Sequence, residues 1–346
     1  MTPKERLLAR IAGQPVDRIP NLNIVMLFAA QHTGYRYGDF CSNYQVLVDA
    51  QLKTAEDFGI DILSTMSDPY RESWDYGACV SFQPDDLPKM NEIYIHDTEE
   101  IAAKLKLWDP MQSVRMLDRI HAIEAFKQLR GDTYPILGWV EGPWAEFTDL
   151  ADISEAMIML IDEPEEVCSA LDLLTQQAIR CAVAQVNAGA DIIGMGDAAA
   201  SLISADMYRT YILPREKQII DAVHQAGGMV KLHICGDINH IIADMVDSGA
   251  DIVDIDYMVD MERAVALSQG KCAICGQINP TATILQGTEE DVREAVRRCV
   301  ASGNNKTIIS SGCEIPRMSP ETNVTAIAQE LKLLGCTNSF HQISPF

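Results

Sequence analysis

His233 and Cys235 stand two residues apart in Lys231-Leu-His-Ile-Cys-Gly-Asp237, and Cys313 lies in Ser310-Ser-Gly-Cys-Glu-Ile-Pro316. Both segments read as the end of an apolar strand running into a loop. Side chains two apart on a strand share a face, so the imidazole and the first thiol can reach one ion. An imidazole and two thiols suit zinc, with bonds of about 2.0–2.3 Å, and three protein ligands leave a fourth position for substrate. Such a site can hold a thiol substrate as its thiolate and make it a nucleophile. Gly236 and Gly312 flank the two cysteines and let a loop bend tightly at a strand end. The plainer reading is a buried histidine and two unrelated packing cysteines.

Asp256 closes the next apolar run and is a further candidate. It is expected either as an oxygen ligand that substrate displaces, as the partner that orients His233, or as a strand-end cap for the following helix. Cys272-Ala-Ile-Cys275 has knuckle spacing, but it falls inside a strand pattern and no second such pair exists. It is read as packing. Cys41, Cys79, Cys168, Cys181, Cys299 and Cys336 show no metal-like spacing and are expected to be reduced packing residues.

These residues need a scaffold that gathers strand ends. Apolar, β-branched runs recur at 22–27, 60–64, 135–140, 190–195, 229–234, 251–256, 272–276 and 307–311, as buried parallel strands require. Amphipathic stretches lie between them, at 151–187, 204–226, 238–248, 288–302 and 319–334. Ser319-Pro-Glu-Thr reads as a helix N-cap followed by proline at the first helical position. Eight strand-then-helix units point to an α/β fold of the (β/α)8 TIM-barrel type, preceded by an N-terminal helical extension. Strand ends distant along the chain converge on one mouth of such a barrel. The stretch from about 65 to 133 exceeds one crossover and is expected as an insertion after the second strand, over one mouth. Residues 1–346 are read as a single barrel domain.

The chain carries a net charge of −23 on 346 residues, with 47% apolar residues and 22% charged ones. The charge argues against nucleic acid and against an anionic membrane surface, which both require clustered Lys and Arg. The N-terminus, Met1-Thr-Pro-Lys-Glu-Arg-Leu-Leu, has no apolar core of a signal peptide. No run of about 18 apolar residues is present. A cytoplasmic protein is expected.

Several motifs resemble the uroporphyrinogen decarboxylase superfamily. They are Asp191-Ile-Ile-Gly-Met-Gly-Asp197, Leu202 to Pro214, His233-Ile-Cys-Gly-Asp237, Gly276-Gln-Ile-Asn-Pro280 and Ser310 to Pro316. The resemblance is dense from about 135 to 335 and thinner before. Within the superfamily the His-x-Cys…Cys pattern is similar to the zinc methyltransferase branch, which includes methylcobamide:coenzyme M methyltransferases. The resemblance implies a TIM-barrel zinc enzyme moving a methyl group between a methylated corrinoid protein and a thiol such as coenzyme M. Corrinoid Co(I) is a good leaving group, so such an enzyme needs alignment more than acid catalysis. The chain shows no corrinoid-binding signature of its own, so the corrinoid is expected on a partner protein.

The resemblance also places Asp197 near the metal, as a group that orients substrate or solvent; the alternative is a cap for the helix that begins near Ser204. It places Glu141-Gly-Pro at the pocket rim with Trp144 as an apolar wall; the alternative is a turn and a packing tryptophan. The superfamily's decarboxylases grip a polyanionic tetrapyrrole with an arginine-rich N-terminal segment. Here Asn21 to Arg36 contains Arg36 as its one cation, and Asp61 sits where those lyases keep an acid. Two other readings stay open: a methyltransferase that demethylates a small methylated compound to load the corrinoid, and a metal-free lyase. A zinc that only staples the barrel is a third.

Overall fold

The computed structural model of the chain describes residues 1–341. Its strands are β1 (Leu63–Ser64), β2 (Val80–Ser81), β3 (Lys89–Met90), β4 (Ile136–Glu141), β5 (Ile192–Gly196), β6 (Met229–His233), β7 (Ile252–Asp254), β8 (Ala273–Ile278) and β9 (Ile308–Ser311). Seven of them form one parallel sheet in the order β1-β4-β5-β6-β7-β8-β9, and β2 and β3 pair as a separate antiparallel hairpin. Nearly every residue of the seven is buried, which is why they read as continuous apolar runs.

The eighth strand position is filled by the segment around Asn21, which bridges Ile309 in parallel. On one side Leu22 N donates to Ile309 O at 2.9 Å; on the other Asp61 N donates to Asn21 O at 2.8 Å. The segment therefore lies between β9 and the approach to β1 and closes the ring into a (β/α)8 barrel. The run expected at 22–27 is thus a single bridge, and Leu27 already begins the helix Leu27–Thr33. Ladder bonds at this seam are partly supplied by side chains: Ser311 N donates to Asn23 Oδ1 at 2.7 Å, and Ser310 Oγ to Leu22 O at 3.0 Å.

A helix Pro3–Ile11 precedes the barrel, started by Pro3 and a reciprocal cap between Thr2 and Glu5. It is fixed to the seam through Asp61. Arg6 Nη1 lies 2.8 Å from Asp61 Oδ1 and Arg18 Nη1 2.6 Å from Asp61 Oδ2, and Asn21 N donates to the same carboxylate at 2.8 Å. Asp61 is a structural clamp.

The insertion between β1 and β4 carries the hairpin, the helix Arg71–Tyr76 and the long helix Arg115–Arg130. The helical stretch expected at 151–187 is two helices, Ile153–Asp162 and Pro164–Ala188, because Pro164 cannot continue the first. The last helix begins at Glu321, and the Ser319 hydroxyl expected to cap it has no partner. Cys41, Cys181, Cys272, Cys275 and Cys299 are buried as expected, but Cys79 and Cys336 are exposed and so are not packing residues. No helix among the described residues is long and apolar enough to cross a membrane.

Candidate active site

The barrel's strand ends place the chemistry-bearing residues in one row. Pairing in register runs Glu141–Gly196, Gly196–His233, His233–Asp254 and Asp254–Cys275 along β4 to β8. Register partners in a parallel sheet point to the same side. The inward side is identified by contacts across the row: Lys231 Nζ is bonded to Asp254, and His233 Nδ1 lies 2.9 Å from Asp254 Oδ2. That second contact has ion-pair distance but is angled away from a straight hydrogen bond, which leaves Nδ1 without a well-directed partner.

His233 Nε2 faces the other way, 3.0 Å from Cys235 Sγ, and Cys235 Sγ is 3.7 Å from Cys313 Sγ. The three ligand atoms all lie within 4.8 Å of one another. Two sulfurs each about 2.3 Å from a tetrahedral zinc stand about 3.8 Å apart, so the sulfur separation fits that ion. The donor set, one imidazole and two thiols gathered from β6 and the loop after β9, fits zinc in chemistry as well.

Two glycines make the approach possible. Gly236 has φ +90°, a left-handed turn directly after Cys235. At Gly312 a methyl group would stand 2.4 Å from Tyr257 N and 2.6 Å from Asp256 Oδ1. The Cys313 loop therefore presses against the end of β7 with no room for a side chain. Asp256 holds this junction. Its Oδ2 accepts from Gly236 N at 2.8 Å and its Oδ1 from Tyr257 N at 2.6 Å. Both oxygens are engaged by backbone, and Asp256 stands outside the three-residue group. The orienting contact to His233 comes from Asp254, two residues earlier on the same strand.

The charges of the cluster are strongly biased. The hydrogen bond with Cys235 and, after it, His233 pull Cys313 down to about 4 against its burial. The same hydrogen bond, with burial, pushes Cys235 well up. Burial opposes the charged imidazole, but Asp254 and Cys313 outweigh it and lift His233 to about 10. The cluster favours a thiolate beside a cation, and a divalent ion bound there would take the place of the protons on His233 and Cys235.

Glu141, at the end of β4, is buried but reaches the same row. Its Oε1 accepts from Arg71 Nη2 at 2.7 Å and from Trp139 Nε1 at 3.0 Å. Burial lifts its carboxyl to about 7 against the pull of Arg71. Asp197 is fully buried and does not cap the helix near Ser204, where Ser204 Oγ accepts from Met207 N. Instead its Oδ1 accepts from Ala145 N at 2.6 Å, in the first turn of the helix Pro143–Ala151. Burial and then Glu216 push Asp197 well up, and burial raises Glu216 to about 7 against its bonds from Tyr208 and Asp197. One oxygen of each, Asp197 Oδ2 and Glu216 Oε1, is buried without a hydrogen-bond partner. Trp144 is fully buried and stacks on Phe147 with centroids 6.0 Å apart, as the packing alternative expected.

Sequence reasoning missed Asp254, Lys231, Arg71 and Glu314. Glu314 follows Cys313 directly and accepts from Leu27 N at 2.7 Å and Met26 N at 3.2 Å. It ties the last loop to the start of the helix Leu27–Thr33 across the seam. The signal for Asp254 was available: it stands two residues before Asp256, on the same strand face and opposite His233.

A parallel barrel with its polar row at the C-terminal ends of the strands is the arrangement of a barrel enzyme. The chain belongs to the uroporphyrinogen decarboxylase (URO-D) family, whose model matches residues 2–333. It is 26% identical over 348 residues to the methylcobamide:CoM methyltransferase MtbA of Methanosarcina mazei, covering 98% of each chain. It is 25% identical over 335 residues to the methylcobamide:CoM methyltransferase MtaA of Methanosarcina barkeri, covering 94% of this chain and 96% of that one. A uroporphyrinogen decarboxylase of Saccharophagus degradans is 25% identical over 319 residues, 86% of this chain and 87% of the other. Among solved structures, a methyltransferase from Methanosarcina mazei superposes with a TM-score of 0.88 at 24% identity, over 96% of this chain and 99% of that one. This confirms the barrel.

Proposed function

We propose that the protein is a zinc-dependent methyltransferase that moves a methyl group between a corrinoid carried on a partner protein and a small thiol. The observation that carries the reading is the convergence of His233, Cys235 and Cys313 from two distant strand ends onto one point. Full-length similarity to methylcobamide:CoM methyltransferases supports it.

His233 Nε2 and the two Sγ atoms would hold the ion, with Asp254 fixing the imidazole so that Nε2 faces the site. Bound there, zinc would supply charge withdrawal that keeps a coordinated thiol deprotonated yet nucleophilic. The remaining work belongs to the chain. Asp256 and Gly236 set the loop that carries Cys235, and Gly312 lets the Cys313 loop close on it. Asp197 anchors the start of the helix after β4 through Ala145 N, so the wall beside Glu141 does not shift. Glu141 presents a carboxyl at the level of His233 and is placed to orient the thiol. The methyl-bearing corrinoid would reach the sulfur from the open mouth, and water is excluded below by the packed layer that contains Trp139 and Lys231.

The lyase reading of a polyanionic substrate is disfavoured by the same geometry. Arg36, the one cation of the Asn21–Arg36 segment, pairs with Asp85 at 3.3 Å on the exposed rim. The proposal is tested by mixing metal-loaded protein with methylcobalamin and a thiol and following loss of the methylcobalamin spectrum. Transfer that depends on both the metal and Cys313 is expected. Equal rates for wild type and Cys313→Ser, or with and without metal, would contradict the proposal.

A further inference from the structure

The thiol's far end is legible from the row that contains His233. Between Glu141 on β4 and His233 on β6 stands Gly196, which contributes no side chain. A methyl group at Gly196 would lie 3.1 Å from Glu141 Oε2 and 2.8 Å from the Trp139 ring, and one at Gly194 would lie 2.2 Å from the same ring. The two inward glycines of β5 thus let the Trp139 indole lie flat across the strand as a floor. Gly196 also leaves the Glu141 carboxyl room over the residue that pairs with His233. Oε1 is occupied by Arg71 and Trp139, while Oε2 accepts no hydrogen bond from the described residues.

The charge around this oxygen is acidic. The buried cations near this layer are each bonded to a carboxylate: Arg71 to Glu141, Arg115 to Asp68 and Lys231 to Asp254. Glu72, Glu146 and Asp149 add further carboxyls, and after burial itself Glu72 is among the charges that raise the proton affinity of Glu141, Glu146 and Asp149. None of these three cations is left over for an anionic tail. A buried acidic surplus with one unbonded oxygen attracts a cationic hydrogen-bond donor and repels a sulfonate or carboxylate.

We propose that the acceptor is an aminothiol, its sulfur at the His233–Cys235–Cys313 cluster and its ammonium group received by Oε2 of Glu141. This rests on the thiol-activating reading above and adds the class of thiol. An ammonium ion between Oε2 and the open mouth would also settle Glu141 in its ionised form.

The test is binding, not turnover. Cobalt(II)-loaded protein is titrated at one pH with cysteamine, 2-mercaptoethanol and 2-mercaptoethanesulfonate, following the thiolate-to-cobalt absorption band. Cysteamine should bind at least about tenfold more tightly than the sulfonate, the worth of one hydrogen bond to a charged group. In Glu141→Gln, which keeps an acceptor for Arg71 and Trp139, that advantage should shrink to about threefold or less. If every thiol gives the band but the sulfonate binds best, or the preference survives in Glu141→Gln, the aminothiol assignment is overturned and thiol activation stands. If no thiol gives the band, both fall together.

Discussion

The two nitrogens of His233 have separate tasks. Nε2 faces the sulfurs, and Nδ1 faces Asp254, which Lys231 holds well below the usual carboxylate range despite burial. Partners of this kind fix the tautomer and ring angle of a metal ligand, and losing one costs about 10–100-fold in metal affinity. Asp254→Asn should lower zinc affinity by that factor in competition with a chromophoric chelator, and Asp256→Asn should change it less. Equal losses would mean that the wrong aspartate has been assigned the orienting contact. At this scale the sequence was readable where residue type carries the chemistry: His233, Cys235 and Cys313 stand out by softness alone. Asp254 did not, because a carboxylate inside a strand looks like a misplaced polar residue until its partners Lys231 and His233 are seen on the same face.

Elements bring these residues together, and glycines decide how closely. Gly312→Ala would push a methyl group into the backbone of Tyr257. Neighbouring backbone cannot give way cheaply, so a loss of about 1–3 kcal/mol of stability is expected together with reduced metal content. Denaturant unfolding and metal analysis of the same preparation measure both. The helix after β4 is held by Asp197, and Glu216 accepts from Tyr208; the proton affinities of both carboxyls are raised by burial. The native state therefore binds protons that the unfolded chain has released. That contribution to stability is complete below the ordinary glutamate value and is lost as pH rises through about 7. Unfolding free energy should fall between pH 5 and 8, and Glu216→Gln should remove on the order of 3 kcal/mol of that fall. A slope that the variant leaves unchanged would place the titration elsewhere. The strands of the sheet were legible because both faces are buried and apolar. The closing segment was overextended in the reading because Asn21 and Asn23 replace ladder bonds with side-chain ones, a pattern that periodicity does not encode.

Across the whole molecule, the barrel closes through polar contacts contributed by its first 25 residues. Asp61 gathers Arg6, Arg18 and the Asn21 backbone with almost no exposure of its own. Asp61→Ala would leave two guanidiniums facing a buried gap, and breaking a buried pair in this way costs about 3–5 kcal/mol. A midpoint shift in urea unfolding of that size is expected, and a neutral result would show that the seam does not depend on the clamp. The eightfold alternation of strand and helix made the barrel itself readable. The insertion was readable only as excess length, because its short hairpin and helices lack a strong period.

The central claim is that one ion is held by an imidazole and two thiolates with a place left for a third sulfur. X-ray absorption of the zinc-loaded protein, recorded before and after addition of the thiol, addresses it directly. One nitrogen and two sulfurs, rising to three sulfurs with release of about one proton per site, is the predicted result. A sulfur count that stays constant on saturation with thiol would contradict the account.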